Sequence, residues 1–225
     1  MRCAQYGPRG CDHIAMDDTR DVFAAASAEL AARHPQIAVL YDRAGPCVLE
    51  APETDDFTAL AEAIVFQQLT GKAAATIWGR VVATLDGSPT PEKVAGLSEA
   101  ELRIAGLSRN KAMSMRDLAA KTLDGSVPRA GLNELSDEEV VACLSAVRGI
   151  GVWTAQMFLI FQLRRLDIWP TGDLGVRKGY ARTFGTEVLT PQQMEPLGDT
   201  FRPFRTIAAW YCWRAVETIT PGASS

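Results

Sequence analysis

Two short stretches in the second half of the chain carry residues that could do chemistry together. The first, VRGIGVWTA at residues 147–155, places two glycines around one isoleucine where one helix should end and another should begin. The second, WPTGD, closes on a lone aspartate, Asp173. The first N–H groups of a helix lack intrahelical partners and lie at the positive end of its dipole, so the helix predicted after Gly151 offers an anion site. Asp173 offers a carboxylate, as a helix N-cap or as a reacting group.

The glycines are predicted to form a tight turn between two helices. Glycine permits unusual φ values, and the absence of a Cβ lets a phosphate approach the backbone. We expect Ile150 to point inward and hold the helices together, and Thr154 to cap the second helix or to bond a phosphate oxygen. A plain helix–helix turn with glycine as the C-cap would also explain the triplet when it is taken alone.

The elements around these stretches predict a nearly all-α protein. Of the 225 residues, 47% are hydrophobic and 22% are charged, as in ordinary soluble globular proteins. Segment 58–69 is apolar around most of its circumference, so we expect a central helix packed on several sides. Only AVLY at 38–41 and CVL at 47–49 suggest strands. Helix starts recur, as capping boxes or as proline in the first turn, at Thr90, Ser98, Ser136 and Thr190.

Charge and cysteine content narrow the class of protein. The net charge is −4, which comes from −6 over residues 1–66 and +2 over residues 67–225. Basic residues between 103 and 121 and between 177 and 182 either form a strip on one face or lie on solvated helix faces. The five cysteines are scattered and predict reduced thiols. No secretory signal and no run of about 18 apolar residues is evident, so we expect a cytoplasmic protein with no membrane partner.

A longer pattern, LxxVxGIGxxTAxxF over residues 144–158, resembles the helix-hairpin-helix motif that grips DNA backbones without reading their sequence. Amide dipoles then do part of what lysines would otherwise do, which accommodates an acidic average. After the second predicted helix, RRLDIWPTGDLGVRKG brings a Gly/Pro-containing segment to Asp173, twenty residues after Trp153. In this order, the motifs resemble the helix-hairpin-helix (HhH-GPD) DNA glycosylase superfamily, and above all its 3-methyladenine DNA glycosylase II members.

Three more stretches extend the resemblance over roughly residues 20–218: IVFQQLTGKAA at 64–74, GLSRNK at 106–111 and FRPFRTIAAWYCWR at 201–214. The resemblance implies an all-α, two-lobed fold with a substrate cleft between the lobes. About fifty residues precede the first matching helix, so we expect a compact form without the β-rich N-terminal domain of some relatives. The expected division is a flexible N-terminus at 1–19, a lobe of 20–67 plus 174–220, and a central lobe of 68–173 with the hairpin.

The resemblance implies an enzyme that flips a damaged nucleotide out of double-stranded DNA and hydrolyses its N-glycosidic bond, leaving an abasic site and an uncut strand. Asp173 would stabilise the oxocarbenium-like state electrostatically, and would orient or deprotonate the attacking water. No second acid is evident to protonate the leaving base. This suits alkylated bases such as 3-methyladenine or 7-methylguanine, because they already carry a positive charge. We expect a monomer.

The resemblance also assigns roles to other side chains. Leu69 best matches the side chain that relatives insert into DNA, and Gln68 is the alternative, which could bond the orphaned base. Stacking and cation–π contact suit a cationic base, although both tryptophans could instead belong to the core. The expected base pocket consists of Phe66, Trp153, Met157, Leu174 and Trp213. The expected DNA-binding residues are Gln67, Gln68, Leu69, Lys111, Gly149, Gly151, Thr154 and Lys178.

Two differences from other branches of the superfamily refine the expected chemistry. Relatives that also cut the strand carry a lysine just after the hairpin, where this chain has Trp153. Relatives with an iron–sulfur cluster carry four closely spaced C-terminal cysteines, where this chain has Cys212 alone. We expect no organic cofactor and no cluster, and the resemblance allows a monovalent cation at the hairpin carbonyls. Two alternatives stay open: a non-catalytic DNA-binding or damage-sensing protein, and a bifunctional glycosylase/lyase.

Overall fold

The computed structural model describes the backbone of residues 16–217 and the side chains from residue 21 onward. No strand occurs in this range, which confirms the all-α class, and none of its helices combines the length and apolar character that a membrane span requires. The flexible N-terminus predicted at 1–19 lies largely outside it. The α-helices are α1 (Met16–Arg33), α2 (Pro35–Ala44), α3 (Asp56–Phe66), α4 (Gly71–Thr84), α5 (Pro91–Gly96), α6 (Glu99–Ile104), α7 (Arg109–Leu123), α8 (Asp137–Ser145), α9 (Val152–Phe161), α10 (Leu174–Phe184), α11 (Pro191–Met194) and α12 (Arg205–Glu217), with 3-10 turns at Leu132–Glu134 and Pro196–Phe201.

The predicted helix starts are confirmed. At α6, Ser98 Oγ accepts from the Glu101 N–H at 3.2 Å, and the Glu101 carboxylate accepts from the Ser98 N–H at 2.8 Å. The same reciprocal pair begins α8, from Ser136 to Glu139. Thr190 opens α11 in a capping box with Gln193. Each pair satisfies two backbone donors that the helix itself leaves open, so short polar segments define these boundaries locally.

Helices from both ends of the chain pack together. α10 lies against α12, and α1, α2 and α12 contact one another. The helices α10 and α12 meet at Gly179, where an added Cβ would lie 1.9 Å from the carbonyl oxygen of Cys212. No side chain fits there, so the close crossing of these two helices depends on this glycine.

The middle of the chain packs around α3 and α7. α3 contacts α4, α7 and α9, while α5 and α6 lie against α7 and α8 lies against α9. Burial of Leu60, Ala61, Ile64 and Val65 confirms the prediction of a helix packed on several sides. α3 ends at Phe66, three residues before the end of the apolar segment. The two-lobe division stays a prediction, and α3, expected in the terminal lobe, contacts three helices of the central one.

The two suggested strands are wrong. Residues 38–41 lie inside α2, which starts with Pro35 at a first-turn position. Ile37 and Leu40, three residues apart, are its buried residues. A helical period therefore orders this segment although its local composition is β-prone, because one face packs into the core. Residues 47–49 form no helix or strand.

Replacing Gly179 with alanine tests the α10–α12 crossing. We expect Gly179→Ala to destabilise the protein by about 1–3 kcal/mol or more, because the Cys212 backbone must move. The matched control is Gly79→Ala in α4, where an added Cβ meets nothing within 4 Å; it should stabilise by about 0.5–1 kcal/mol. Urea denaturation measures both changes, and equal stability of Gly179→Ala and the wild type would contradict the predicted clash.

Candidate active site

The hairpin predicted between two helices is present. α8 ends at Ser145, and α9 begins at Val152 after the N-cap residue Gly151. Ile150 is 3% exposed and its N–H donates to the Val147 carbonyl at 3.1 Å. The side chain thus points into the core, as expected, and the turn presents its backbone outward.

The two glycines of the hairpin do different things. Gly149 has φ +77°, and an added Cβ would lie 2.5 Å from Ser114 Oγ on α7, so both conformation and space require glycine. Gly151 has φ −101° and an added Cβ would meet nothing within 4 Å, so the fold does not require glycine there. The N-terminus of α9 has no side-chain cap. Its open amides, next to a residue without a side chain, leave room for an anion.

The carboxylate of Asp173 is held by donors from three helices. Asp173 is the N-cap of α10, and its Oδ1 accepts from the Val176 N–H at 2.8 Å. Trp213 Nε1 on α12 donates to the same oxygen at 3.0 Å. Trp153 Nε1 on α9 donates to Oδ2 at 2.8 Å. The N-cap role considered from the sequence is therefore real, and two indole groups orient the same carboxylate.

A cavity of about 630 Å³ lies between α3 and α9, beside this carboxylate. This volume is typical of small-molecule sites. Trp153 lines the cavity, so Asp173 lies one hydrogen bond behind its wall. The lining residues include no ionisable side chain, and they are Ala59, Ala63, Phe66, Gln67, Gln68, Gly149, Trp153, Thr154, Met157, Phe158, Phe161 and Gln162.

The five expected pocket residues differ in their position relative to the cavity: three line it, one lies behind its wall and one is exposed outside it. Phe66, Trp153 and Met157 line the cavity. Trp213 lies behind it and stacks on Phe161, with ring centroids 5.7 Å apart and planes 22° apart. Leu174 is 48% exposed and is not among the lining residues. The role of each in binding a base stays a prediction.

The loop at residues 67–70, between α3 and α4, presents the expected wedge residues to solvent. Gln68 is exposed and has φ +57°, a left-handed conformation that is uncommon for residues other than glycine. Leu69 is 40% exposed. Gln67 instead donates through Nε2 to the Gly149 carbonyl at 2.9 Å, which ties the loop to the hairpin. Both candidate wedges are thus available, and the choice between them stays a prediction.

The other expected DNA-binding residues differ in their surroundings. Lys178 on α10 is exposed. Thr154 is 8% exposed and lies on the cavity wall. Lys111 Nζ donates to the carbonyls of Val65 and Gln67, at 2.7 Å each, and burial lowers the pKa of this ammonium. The ammonium of the half-buried Lys111 is therefore hydrogen-bonded to the protein's own backbone, which its sequence context did not predict.

Sequence reasoning missed several cavity residues, although a helical pattern marks them. On α3, Ala63 follows Ala59 by four residues and Phe66 follows Ala63 by three. On α9, Phe161 follows Met157 by four residues. Such spacings place side chains on one face of a helix. The sequence does not show that these two faces oppose each other.

Within residues 16–217, the structure brings no cluster of metal-ligating side chains together, and it buries the thiol of Cys212. No group of three His, Cys, Asp or Glu side chains lies close enough there to hold a metal ion. The hairpin carbonyls of Val147 and Gly149 each already accept one hydrogen bond, and a cation there stays a prediction. Burial, aided by the charge of Asp173, raises the pKa of the Cys212 thiol far above its usual range. This thiol is therefore a packing group and not a nucleophile.

The contact between Gly149 and α7 can be tested by paired substitutions. We expect Gly149→Ala to destabilise the protein by about 1–3 kcal/mol, through left-handed strain and the clash with Ser114. Ser114→Ala in the same chain should recover part of this loss, because it removes the oxygen that the new Cβ meets. A double-mutant cycle from thermal or urea unfolding measures the coupling, and additive effects would contradict the contact.

Comparisons with known proteins agree with this geometry. The chain is 36% identical over 165 residues to DNA-3-methyladenine glycosylase 1 of Schizosaccharomyces pombe, which covers 71% of this chain and 72% of that protein. Among solved structures, a DNA-3-methyladenine glycosidase from Bacillus halodurans is 31% identical, with a TM-score of 0.78 over 87% of this chain and 89% of that one. A Schizosaccharomyces pombe 3-methyladenine DNA glycosylase in complex with abasic DNA is 30% identical, with a TM-score of 0.77 over 89% of this chain and 100% of that one.

The family comparison covers the hairpin, the cavity helix α9 and Asp173 in one match. Residues 61–202 match the family described as "HhH-GPD superfamily base excision DNA repair protein". The order of motifs on the sequence, the hairpin with open amides and the oriented aspartate all fall inside this range. The chain therefore belongs to the HhH-GPD superfamily of base excision DNA repair proteins.

Proposed function

We propose that this protein is a monofunctional DNA glycosylase that removes alkylated bases, of the 3-methyladenine and 7-methylguanine type, from double-stranded DNA. The observation that carries the proposal is the carboxylate of Asp173, which two indole N–H groups orient one hydrogen bond behind the Trp153 wall of an aromatic cavity. The three similar proteins named above are 3-methyladenine glycosylases or glycosidases, and their names support the same substrate class.

The chemistry follows from where charge develops. As the bond between the anomeric carbon and the base breaks, its electrons move into the base and the sugar gains positive charge. The fixed carboxylate of Asp173 stabilises that charge, since a preorganised group need not reorient during the reaction. Water then bonds to the anomeric carbon and gives up a proton, for which the same carboxylate is the available acceptor.

The lining of the cavity explains the choice of leaving group. None of its lining residues can donate a proton as a general acid. A normal base leaves as an anion unless it is protonated, whereas a base alkylated on a ring nitrogen is already cationic and leaves neutral. Aromatic walls from Phe66, Trp153 and Phe161 suit such a cation, because each favourable cation–π contact contributes about 0.5–2 kcal/mol.

We assign DNA contact to the start of α9, to Lys178 on α10 and to loop 67–70. The open amides at the start of α9 would bind a backbone phosphate, with Lys178 adding charge. Gln68 or Leu69 would fill the space that the flipped nucleotide leaves. We propose a monomer without an organic cofactor or iron–sulfur cluster, and a cytoplasmic location stays a prediction. An intact, oriented Asp173 favours catalysis over a purely damage-sensing role.

Asp173→Asn tests the mechanism. Base release from methylated duplex DNA should fall by at least about 100-fold, because the stabilising charge is lost. The asparagine amide also turns a donor toward an indole N–H, so thermal unfolding must show that the variant is folded. Binding to abasic-site DNA should persist within a few-fold. Equal release of free base by the variant and the wild type would contradict the mechanism, and a wild type that binds DNA without releasing base would favour the sensing role.

Borohydride trapping tests the absence of lyase activity. A strand-cutting enzyme forms a Schiff base between a lysine and the sugar, and Trp153 occupies the place of that lysine. We expect no covalent enzyme–DNA adduct and no cut strand after base release, while hot alkali should cleave every product strand at its abasic site. An adduct trapped in proportion to base release would establish the bifunctional glycosylase/lyase alternative.

A further inference from the structure

One face of α7 contacts both DNA-facing loops of the protein. Lys111, Ser114 and Asp117 follow one another at intervals of three, which places them along one side of the helix. Lys111 contacts the end of α3, while Ser114 and Asp117 contact the hairpin between α8 and α9. The helix thus lies beneath two loops that are far apart in sequence.

At the first loop, Lys111 completes the C-terminus of α3. Its ammonium donates to the carbonyls of Val65 and Gln67, at 2.7 Å each. Terminal carbonyls of a helix lack intrahelical donors, and a cation there both bonds them and opposes the helix dipole. The chain direction at the start of loop 67–70 is therefore set by this side chain.

At the second loop, two groups of α7 hold the hairpin. Asp117 Oδ2 accepts from the Arg148 N–H at 2.7 Å. Burial opposes ionisation of Asp117, but the hydrogen bonds from Arg148 and Lys121 hold the pKa of its carboxyl below its usual value. Gly149 lies directly on Ser114, where an added Cβ would come within 2.5 Å of Oγ.

Gln67 links the two loops directly through hydrogen bonds. Its carbonyl accepts from Lys111, and its side-chain amide donates to the Gly149 carbonyl at 2.9 Å. The next residue, Gln68, keeps a left-handed conformation. A non-glycine residue stays in such a conformation only where the surrounding structure holds it there.

We propose that Lys111 is a positioning residue for base flipping: it fixes loop 67–70 relative to the phosphate-binding hairpin and does not itself neutralise a DNA phosphate. This rests on the proposed glycosylase function. A phosphate held at the hairpin then sets where Gln68 and Leu69 stand against the base stack. Flipping a paired base needs a rigid insert, because unstacking is unfavourable until the gap is filled.

The experiment compares two duplexes that carry the same 7-methylguanine, one paired with cytosine and one at the centre of an unpaired bubble. Lys111→Met removes both bonds to carbonyls but retains the length of the side chain. For the paired substrate, kcat/KM should fall by at least about tenfold, a factor that the loss of even one of these two charge-assisted hydrogen bonds would account for. For the bubble, where flipping is easier, the loss should be much smaller. Lys111→Arg should restore part of the paired activity.

Lys93→Met is the matched control. Lys93 Nζ also donates to a carbonyl at the end of a helix, that of Leu85 after α4, at 2.7 Å, but no residue of α5 lines the cavity. This variant should lower thermal stability to a similar degree and leave the ratio of paired to bubble activity unchanged. A general loss of stability in Lys111→Met is thereby separated from a loss of positioning.

Salt dependence decides between positioning and phosphate contact. A lysine that neutralises a phosphate contributes about 0.9 to the slope of log K against log salt concentration, so its removal lowers that slope. For Lys111→Met we expect the wild-type slope. A slope lower by about one, or equal losses on paired and bubble substrates, would overturn the positioning role. If the wild type released no base from either duplex, the proposed function would fail instead.

Discussion

The carboxylate of Asp173 is hydrogen-bonded by three helices, so the relative positions of these helices determine its orientation. Its two oxygens accept from the backbone of α10, from Trp213 on α12 and from Trp153 on α9. The first contact is local and needs only an N-cap residue. The other two require α9 and α12 to lie on either side of the start of α10. The crossing at Gly179 brings α12 within reach, and Gly175 leaves room for the indole, since a Cβ there would lie 2.9 Å from Trp213 Cδ1.

An acidic chain can bind DNA here because the contacts are local. The net charge of −4 conceals a surplus of acid over residues 1–66, whereas residues 67–225, with the hairpin and Lys178, carry +2. The hairpin provides partial positive charge through amides at the start of α9, which no side chain caps. Such contacts hold the phosphate backbone without reading sequence, as a repair protein that must act at any position requires.

Local signals in the sequence predicted local structure well. The boxes at Ser98 and Ser136, the inward Ile150 and the hairpin itself all depend on residues within a few positions, and all are present. The strand expected at 38–41 was wrong because packing of Ile37 and Leu40 outweighed composition. The pairing of the hairpin with Asp173 came from the order of motifs along the chain, which the sequence itself records.

The contacts that shape the candidate site could not be predicted, because they join residues that are distant in sequence. Lys111 was expected among the DNA-binding residues, which stays a prediction, and nothing near it in sequence indicated that its ammonium donates to carbonyls more than forty residues earlier. Trp213 was expected in the base pocket, which stays a prediction, but its stacking on Phe161 and its hydrogen bond to the Asp173 carboxylate were not expected. Both residues were picked out by family resemblance, but their partners follow from how α3, α7, α9 and α12 pack together, and no local pattern records that packing.

The proposed phosphate site and Trp153 lie in the same turn of α9, so DNA binding and the orientation of Asp173 depend on one element. The open amides and Trp153 lie within the first turn, and each residue advances the helix by about 1.5 Å. A phosphate bound there is therefore held at a nearly fixed distance from the indole that orients Asp173. A tilt of α9 would disturb both contacts together. By the resemblance, strand-cutting relatives carry a lysine at this position, whereas Trp153 here provides part of the cavity wall and one N–H donor. We therefore propose that the residue just after the hairpin decides whether the base alone is hydrolysed or the strand is also cut.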